Sequence, residues 1–405
     1  MKLNINTISN QIQAELSGTA AQDIETISID SRSLQNGPQT LFFALVGPNN
    51  DAHLYLEDLM AKGVQHFVVT HIPENCAGKA TFLVVKNTTT ALQQLAGYYR
   101  SLFDFPIIGL TGSNGKTTTK ELIHVVLSKK YKTKATVGNL NNHIGVPLTL
   151  LSFNSETEIG IVEMGANHKK EIEFLCELAK PDYGYITNFG KAHLEGFGGV
   201  EGVIEGKSEM YHYLSQNNKC AFINLEDPIQ VEKSKALQFY SFGINKAEAN
   251  VNISAVSANP FVVIMYSDIK ISTHLIGLYN ANNINAALTI GKYFDVADAA
   301  IKQALESYIP ENNRSQLLTK GTNQIILDAY NANPSSMAVA IENFVQLENP
   351  NKIMILGDMF ELGQESAVEH KSIVTSLLNQ NKVACHFVGA AFFANKISKD
   401  NFSFY

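Results

Sequence analysis

The stretch that decides the fold runs Phe105-Pro-Ile-Ile-Gly-Leu-Thr-Gly-Ser-Asn-Gly-Lys-Thr-Thr-Thr-Lys-Glu-Leu122. Pro106 pushes Phe105 out of helical geometry, and the apolar, β-branched run behind it predicts a strand over IIGL. A helix is predicted from Lys116 to Lys129. Between them lies a glycine-rich turn, and a glycine-rich turn between a strand and a helix is a phosphate cradle. Glycines let backbone N–H groups approach phosphate oxygens, and the helix N-terminus adds positive potential. The strict GxxxxGK[ST] spacing is not met because position 110 is Leu. The shorter TGxxGKTT form remains, and its strand–helix setting favours nucleotide binding over an ordinary turn. The residues assigned to nucleotide contact are Gly112, Ser113, Asn114, Gly115, Lys116, Thr117 and Thr118. Lys116 is placed to reach the β- and γ-phosphates, and Thr117 to bind Mg²⁺.

Outward from this loop, strands alternate with helices: IGIVEM, a helix over Glu171–Ala179, YGYITN, a helix around Val203–Leu214, and CAFINL. Repeated βα units imply a parallel sheet covered on both faces. Short alternating runs between Val251 and Leu278 predict antiparallel strands added to that sheet, followed by a helix over Asn280–Phe294. Upstream, a short helix near Thr7–Leu16, the strand-like runs TLFFAL, HFVVT and TFLVV, and a helix from Thr89 predict a small α/β domain. Downstream, IILDAY, KIMILG and CHFVG separated by helical patterns predict another. The expected architecture is α/β with three domains. A central P-loop parallel sheet (105–310) is flanked by a small N-terminal α/β domain (1–104) and a C-terminal Rossmann-like α/β domain (311–405).

Composition agrees with a chain that folds throughout: 45% hydrophobic and 17% charged residues leave no disordered bias. A net charge of -7 supplies no basic field for a nucleic-acid backbone, so that partner class is excluded and phosphate contacts must be local. The four cysteines show neither a CxxC nor a zinc-like spacing, which points to a reducing compartment. The N-terminus lacks a basic-then-apolar secretory signal and no apolar run approaches a membrane span, so a cytoplasmic protein without membrane insertion is expected.

Two further strand ends carry polar groups. Glu163 ends IGIVEM, where ligands collect in doubly wound sheets, and TNFGKAHLEGFG places Asn188 and His193 after the next strand. A carboxylate and a neutral imidazole near phosphates are candidate Mg²⁺ ligands. A capping glutamate and a loop histidine are the structural alternatives.

Seven motifs in order, TGSNGKTTTKEL, GNLNNHIGVPLTLL, VEMGANHKKEI, NFGKAHLEGFG, GLYNANNINAAL, DAYNANPSSM and GDMFELG, resemble those of the Mur ligases. GNLNNHIGVP, DAYNANPSSM and GDMFELG are similar to the members of that family that use D-alanyl-D-alanine. The N-terminal SIDSRSLQNGPQTLFFALVGPNNDAH is similar to the family's UDP-sugar-binding domain. The resemblance covers nearly the whole chain.

It implies an ATP-dependent amide ligase of peptidoglycan precursor synthesis. The enzyme would join D-alanyl-D-alanine to a UDP-N-acetylmuramoyl-tripeptide through an acyl phosphate, with ATP and Mg²⁺, as a monomer. It implies catalytic roles for Lys116, Lys207 and His193. Thr117, Glu163, His193 and Lys207 would hold metal, Lys207 as a CO₂-derived lysine carbamate. By residues alone, Lys207 in EGKSEM reads as a solvated helix lysine beside Glu205 and Glu209; the family context reverses that. Asn280, Asn283, Arg314, Asp328 and Asn331 would contact the nucleotide. Ser31, Arg32, Asn141, Asn142, Tyr330 and Asn333 would contact substrate, Ser31 and Arg32 at the UDP end. The family's third domain normally continues with a further strand, a Lys-Gly-Ser-Arg-like segment and a helix, absent before Tyr405, so a truncated or unusually short third domain is expected. Sister ligases, a folylpolyglutamate synthase-like ligase and, from another class, a P-loop ATPase share the loop; DAYNANPSSM argues against the first two.

Overall fold

The computed structural model describes residues 2–19, 22–34 and 37–405. Its centre is a nine-stranded sheet in the order Thr133–Ala135, Ile159–Glu163, Ile107–Thr111, Tyr183–Ile186, Cys220–Asn224, Gln238–Ile244, Val251–Ala258, Phe261–Tyr266 and Ile269–Ile276. The first seven strands are parallel, and the last two are added through antiparallel pairings, so that only Phe261–Tyr266 runs against the rest. Ile107–Thr111 is followed on one side by Ile159–Glu163 and on the other by Tyr183–Ile186, so the strand order reverses at the phosphate loop. Such a switch point opens a crevice beyond the carboxyl ends of the strands.

The strands read as apolar runs because both faces are buried. Alternate side chains separate into two cores: Val162, Met164 and Ile186 on one face, and Ile108, Leu110, Ile161 and Tyr185 on the other. On the second face, helix Lys116–Leu127 packs Leu122, Ile123 and Val126 against Ile284, Ala287 and Leu288 of helix Ala281–Tyr293. Each fully buried Leu or Ile contributes about 1.5–3 kcal/mol, which fixes the loop feeding that helix.

Before this sheet lies a five-stranded one, ordered Glu15–Ser17, Thr81–Val84, His66–Val69, Thr40–Phe43 and Thr26–Ser28, with only the first pairing antiparallel. The expected helix Thr7–Leu16 is shorter, Ile5–Gln11. Gln13 turns left-handed at φ 52°, which breaks the helix and lets Glu15–Ser17 join the sheet.

After the central sheet, Lys352–Gly357, Val383–Val388 and Phe402–Phe404 form a parallel three-stranded sheet. The IILDAY run does not enter it. Asn323–Leu327 pairs antiparallel with Gln316–Lys320 in a hairpin closed at Gly321, whose φ of 60° suits a tight turn. Strands Thr133–Ala135 and Gln238–Ile244 were not anticipated from the sequence. Among the described residues no helix is long and apolar enough to cross a membrane, and all four cysteines are free.

Candidate active site

The phosphate loop holds its shape through glycine and through the segment after the neighbouring strand. Gly112 has φ 137°, and a Cβ there would meet Thr187 Oγ1 at 2.0 Å and Thr187 N at 2.9 Å. Gly115 has φ 79°, with Asn283 Oδ1 2.7 Å from where a Cβ would sit. Ser113 N donates to Asn188 O at 3.0 Å and Ser113 Oγ to Gly190 O at 2.7 Å. Asn114 N donates to Asn188 Oδ1 at 3.2 Å. The N–H groups opening helix Lys116–Leu127 have no intrahelical acceptors and face a ligand space. Lys116 Nζ lies back on the loop, donating to Gly112 O at 2.7 Å and Ser113 O at 3.2 Å. Burial holds its amine below the usual lysine range; Glu163 opposes that shift and Arg314 adds to it.

Glu163 lies across from Lys116 and is 1% exposed. Its Oε1 accepts from Thr117 Oγ1 at 3.2 Å and from Asn141 Nδ2 at 2.8 Å. Its Oε2 is buried without a hydrogen bond, and the Lys120 ammonium, itself 2% exposed, stands 3.6 Å away. A carboxylate oxygen left unpaired beside a threonine hydroxyl suits a hard divalent cation. Among the described residues no cluster of three or more His, Cys, Asp or Glu side chains forms a ready-made metal site. A cation here needs nucleotide oxygens or water to complete its shell, so the residues present fit Mg²⁺ arriving with a nucleotide.

His193 lines the same space and pairs through Nδ1 with the Glu361 carboxylate from the C-terminal part. Burial pulls its imidazole below the usual range, with Glu361 opposing. Lys207 is 1% exposed, not solvated. Its Nζ donates to Ala166 O at 3.1 Å and stands 5.0 Å from the centre of the Phe197 ring. Burial holds this amine well below the usual lysine range, and the nearby Lys116 charge acts in the same direction. Lys207 sits behind the cavity wall, of which Ala166 forms part.

On the far side, Asn280 donates to Ile276 O at 2.8 Å and accepts from Asn283 Nδ2 at 2.9 Å, while Asn283 Oδ1 accepts from Thr119 at 3.0 Å. The two asparagines tie the nucleotide-side helix to the phosphate-loop helix. Arg314 stacks on Tyr330 at 3.8 Å, and its buried Nε has no partner, a donor that a nucleotide oxygen would satisfy. Asp328 accepts from Ser315 N at 3.3 Å, and burial raises its carboxyl. Asn333 caps helix Pro334–Gln346 and also donates through Nδ2 to Asn114 Oδ1 at 2.7 Å, bridging the C-terminal part to the loop. Asn142 accepts from Ile144 N and Gly145 N at 3.0 and 2.9 Å, which shapes its own turn.

Together these side chains line one cavity of about 960 Å³, which includes Ser113 to Thr118, Asn141, Asn142, Glu163, His193, Asn280, Asn283, Arg314, Asp328, Tyr330, Asn331 and Asn333. That is at the upper end of small-molecule sites, with room for more than a nucleotide. Gly112 and Lys207 stand behind its wall. Ser31 and Arg32 lie elsewhere, on an exposed turn where Arg32 pairs with Asp30 at 2.9 Å. Sequence reasoning passed over Lys120, Tyr279, Ser335 and Glu361. Lys120 carries a signal in retrospect, since positions 116 and 120 share one helix face.

A phosphate loop and a buried carboxylate at the switch point of a mostly parallel sheet, facing a second α/β unit across a shared cavity, define a P-loop protein that handles a nucleotide between domains. Residues 110–291 match the Mur ligase middle domain and residues 313–400 the Mur ligase glutamate ligase domain. The UDP-N-acetylmuramoyl-tripeptide–D-alanyl-D-alanine ligase of Bacillus subtilis is 35% identical over 92% of this chain and 82% of its own length. The enzyme of that name from Haemophilus influenzae is 32% identical over 100% of this chain and 89% of its own. A crystal structure of MurF from Acinetobacter baumannii superimposes with a TM-score of 0.87 at 29% identity, covering 100% of this chain and 89% of that one. The chain belongs to the Mur ligase family.

Proposed function

We propose that this chain joins D-alanyl-D-alanine to a UDP-N-acetylmuramoyl-tripeptide with ATP, releasing ADP and phosphate, in peptidoglycan precursor synthesis. The observation that carries it is the shared cavity in which the phosphate loop and Glu163 face Tyr330, Asn331 and Asn333 of the DAYNANPSSM segment. That segment belongs to the region matched by the glutamate ligase domain. The division of labour is residues 1–104 for the UDP end through Ser31 and Arg32, 105–310 for ATP, and 311–405 for closing over both. The reading places the enzyme in the cytoplasm, where ATP is the co-substrate, and takes it to act as a monomer.

A carboxylate does not condense with an amine at neutral pH until it acquires a leaving group. The tripeptide's terminal carboxylate oxygen attacks the γ-phosphorus, the bond to the β–γ bridging oxygen breaks, and ADP leaves from an acyl phosphate. The dipeptide amine then attacks the acyl carbon, loses a proton, and expels phosphate. Lys116 and the N–H groups at the helix start offset charge on the transferring phosphoryl oxygens, where positioning and electrostatics supply most of the acceleration. Arg314, Asn280 and Asn283 hold the nucleotide, and Asn141 and Asn142 border the acyl side. Closure by the C-terminal part excludes water that would hydrolyse the acyl phosphate. Mg²⁺, held by Thr117, Glu163, His193 and a carbamate on Lys207, would neutralise phosphate charge. Carbamylation requires a neutral amine, and the burial that depresses Lys207 provides it.

Phosphate release tests the reading, with each substrate omitted in turn. Release requires both the UDP-muramoyl-tripeptide and D-alanyl-D-alanine, and full-rate release without the dipeptide would point to an ATPase. Lys207→Ala loses most activity and acetate partly restores it by refilling the anionic position; wild-type rates without additive would remove the carbamate from the scheme.

A further inference from the structure

The segment from Asn188 to Glu195 lies between the phosphate loop and the C-terminal part. On one side, Ser113 N and Ser113 Oγ grip Asn188 O and Gly190 O. On the other, Lys191 N donates to Ser335 Oγ at 2.7 Å, Lys191 Nζ pairs with Glu369 at 2.6 Å, and Glu195 N donates to Glu361 O at 3.4 Å. At the centre, His193 Nδ1 meets the Glu361 carboxylate. Both residues are left-handed, His193 at φ 53° and Glu361 at φ 61°. That region is unfavourable for an L-residue, and glycine would avoid the strain at either position. Two such costs facing each other mark side chains held for what they do.

Glu361 is presented by a braced loop. Asp358 accepts from Ala391 N and Phe392 N at 2.9 Å each, and fully buried His370 accepts from Met359 N through Nε2 at 3.0 Å. Leu362 is buried on the far side. The Glu361 side chain itself is half exposed and lines the nucleotide cavity, so it is not needed to hold the core.

We propose that Glu361 is a positioning residue for His193: its carboxylate accepts a hydrogen bond from Nδ1–H, fixes the tautomer, and leaves the Nε2 lone pair for the cation only when the C-terminal part is docked. The inference rests on reading His193 as a metal ligand. A carboxylate behind a ligating imidazole orients the ring and raises its basicity. Because this carboxylate comes from the closing domain, metal binding and closure favour each other.

The test is Mn²⁺ binding to the full chain with ADP, followed by electron paramagnetic resonance, in wild type, Glu361→Ala, Glu361→Gln and His193→Ala, each checked for fold by circular dichroism. Glu361→Ala weakens binding roughly 10- to 100-fold. Glu361→Gln stays closer to wild type because its amide oxygen still accepts from Nδ1 and its size is unchanged. His193→Ala losing affinity while both Glu361 variants keep it overturns the positioning role alone. Unchanged affinity in all three overturns the ligand reading of His193 beneath it.

Discussion

Replacing Lys120 with Met removes a buried ammonium while nearly preserving side-chain volume. Lys120 Nζ donates to Gly138 O at 2.9 Å and stands 3.6 Å from Glu163 Oε2. At an effective dielectric of about 20, two unit charges at that separation attract by roughly 5 kcal/mol. Breaking a buried pair from one side typically costs about 3–5 kcal/mol, because the remaining charge is stranded, whereas removing both charges together is far cheaper. Lys120→Met and Glu163→Gln are each therefore expected to lower the urea midpoint of the metal-free protein by roughly 1–2 M, for m-values near the upper end of the usual range. The double variant should lose clearly less than the sum. Far-UV circular dichroism follows the transition. Strictly additive losses, or single variants as stable as wild type, would refute the coupling and with it the view that Lys120 holds the Glu163 carboxylate in position beside the phosphate loop.

Two further outcomes follow from the geometry. Gly112→Ala places a Cβ 2.0 Å from Thr187 Oγ1 at a φ of 137°, so it should abolish nucleotide binding by calorimetry while leaving intact the UDP-substrate binding proposed for the first domain; a wild-type ATP affinity would show that the loop tolerates the shift. In the first domain, burial holds the His66 imidazole below the usual range, with the Pro38 backbone opposing. The folded state thus binds fewer protons than the unfolded one, and stability present above the unfolded value of about 6.5 is lost as pH falls below it towards the folded value. The wild-type urea midpoint should drop between pH 7.5 and 5.5 by more than that of His66→Leu, and equal drops would remove His66 as the cause.

The central sheet was legible because its strands are short apolar runs set between helices of regular period, and because Pro106 and the glycines of the loop punctuate the change from strand to helix. Glu163 was legible for the same reason: a carboxylate ending an apolar run has nowhere to go but the crevice. Less legible were features set by tertiary contact. The IILDAY run has the composition of a sheet strand, yet Gly321 closes a hairpin that captures it first. Lys207 looks like a surface residue between Glu205 and Glu209, and only packing beneath Ala166 and beside Phe197 shows that it is buried. Glu361 sits in a motif that was quoted for its likeness, but its partner lies 168 positions away, and no local pattern joins them.

The central claim is that the tripeptide carboxylate is activated by phosphoryl transfer before the dipeptide amine attacks. It is tested most directly with a tripeptide substrate whose terminal carboxylate carries ¹⁸O in both oxygens, turned over with unlabelled ATP and D-alanyl-D-alanine. Mass spectrometry of the products should find one ¹⁸O in the released phosphate and one in the new amide carbonyl. Phosphate free of ¹⁸O, with the label lost from the carboxylate recovered in water instead, would contradict the account.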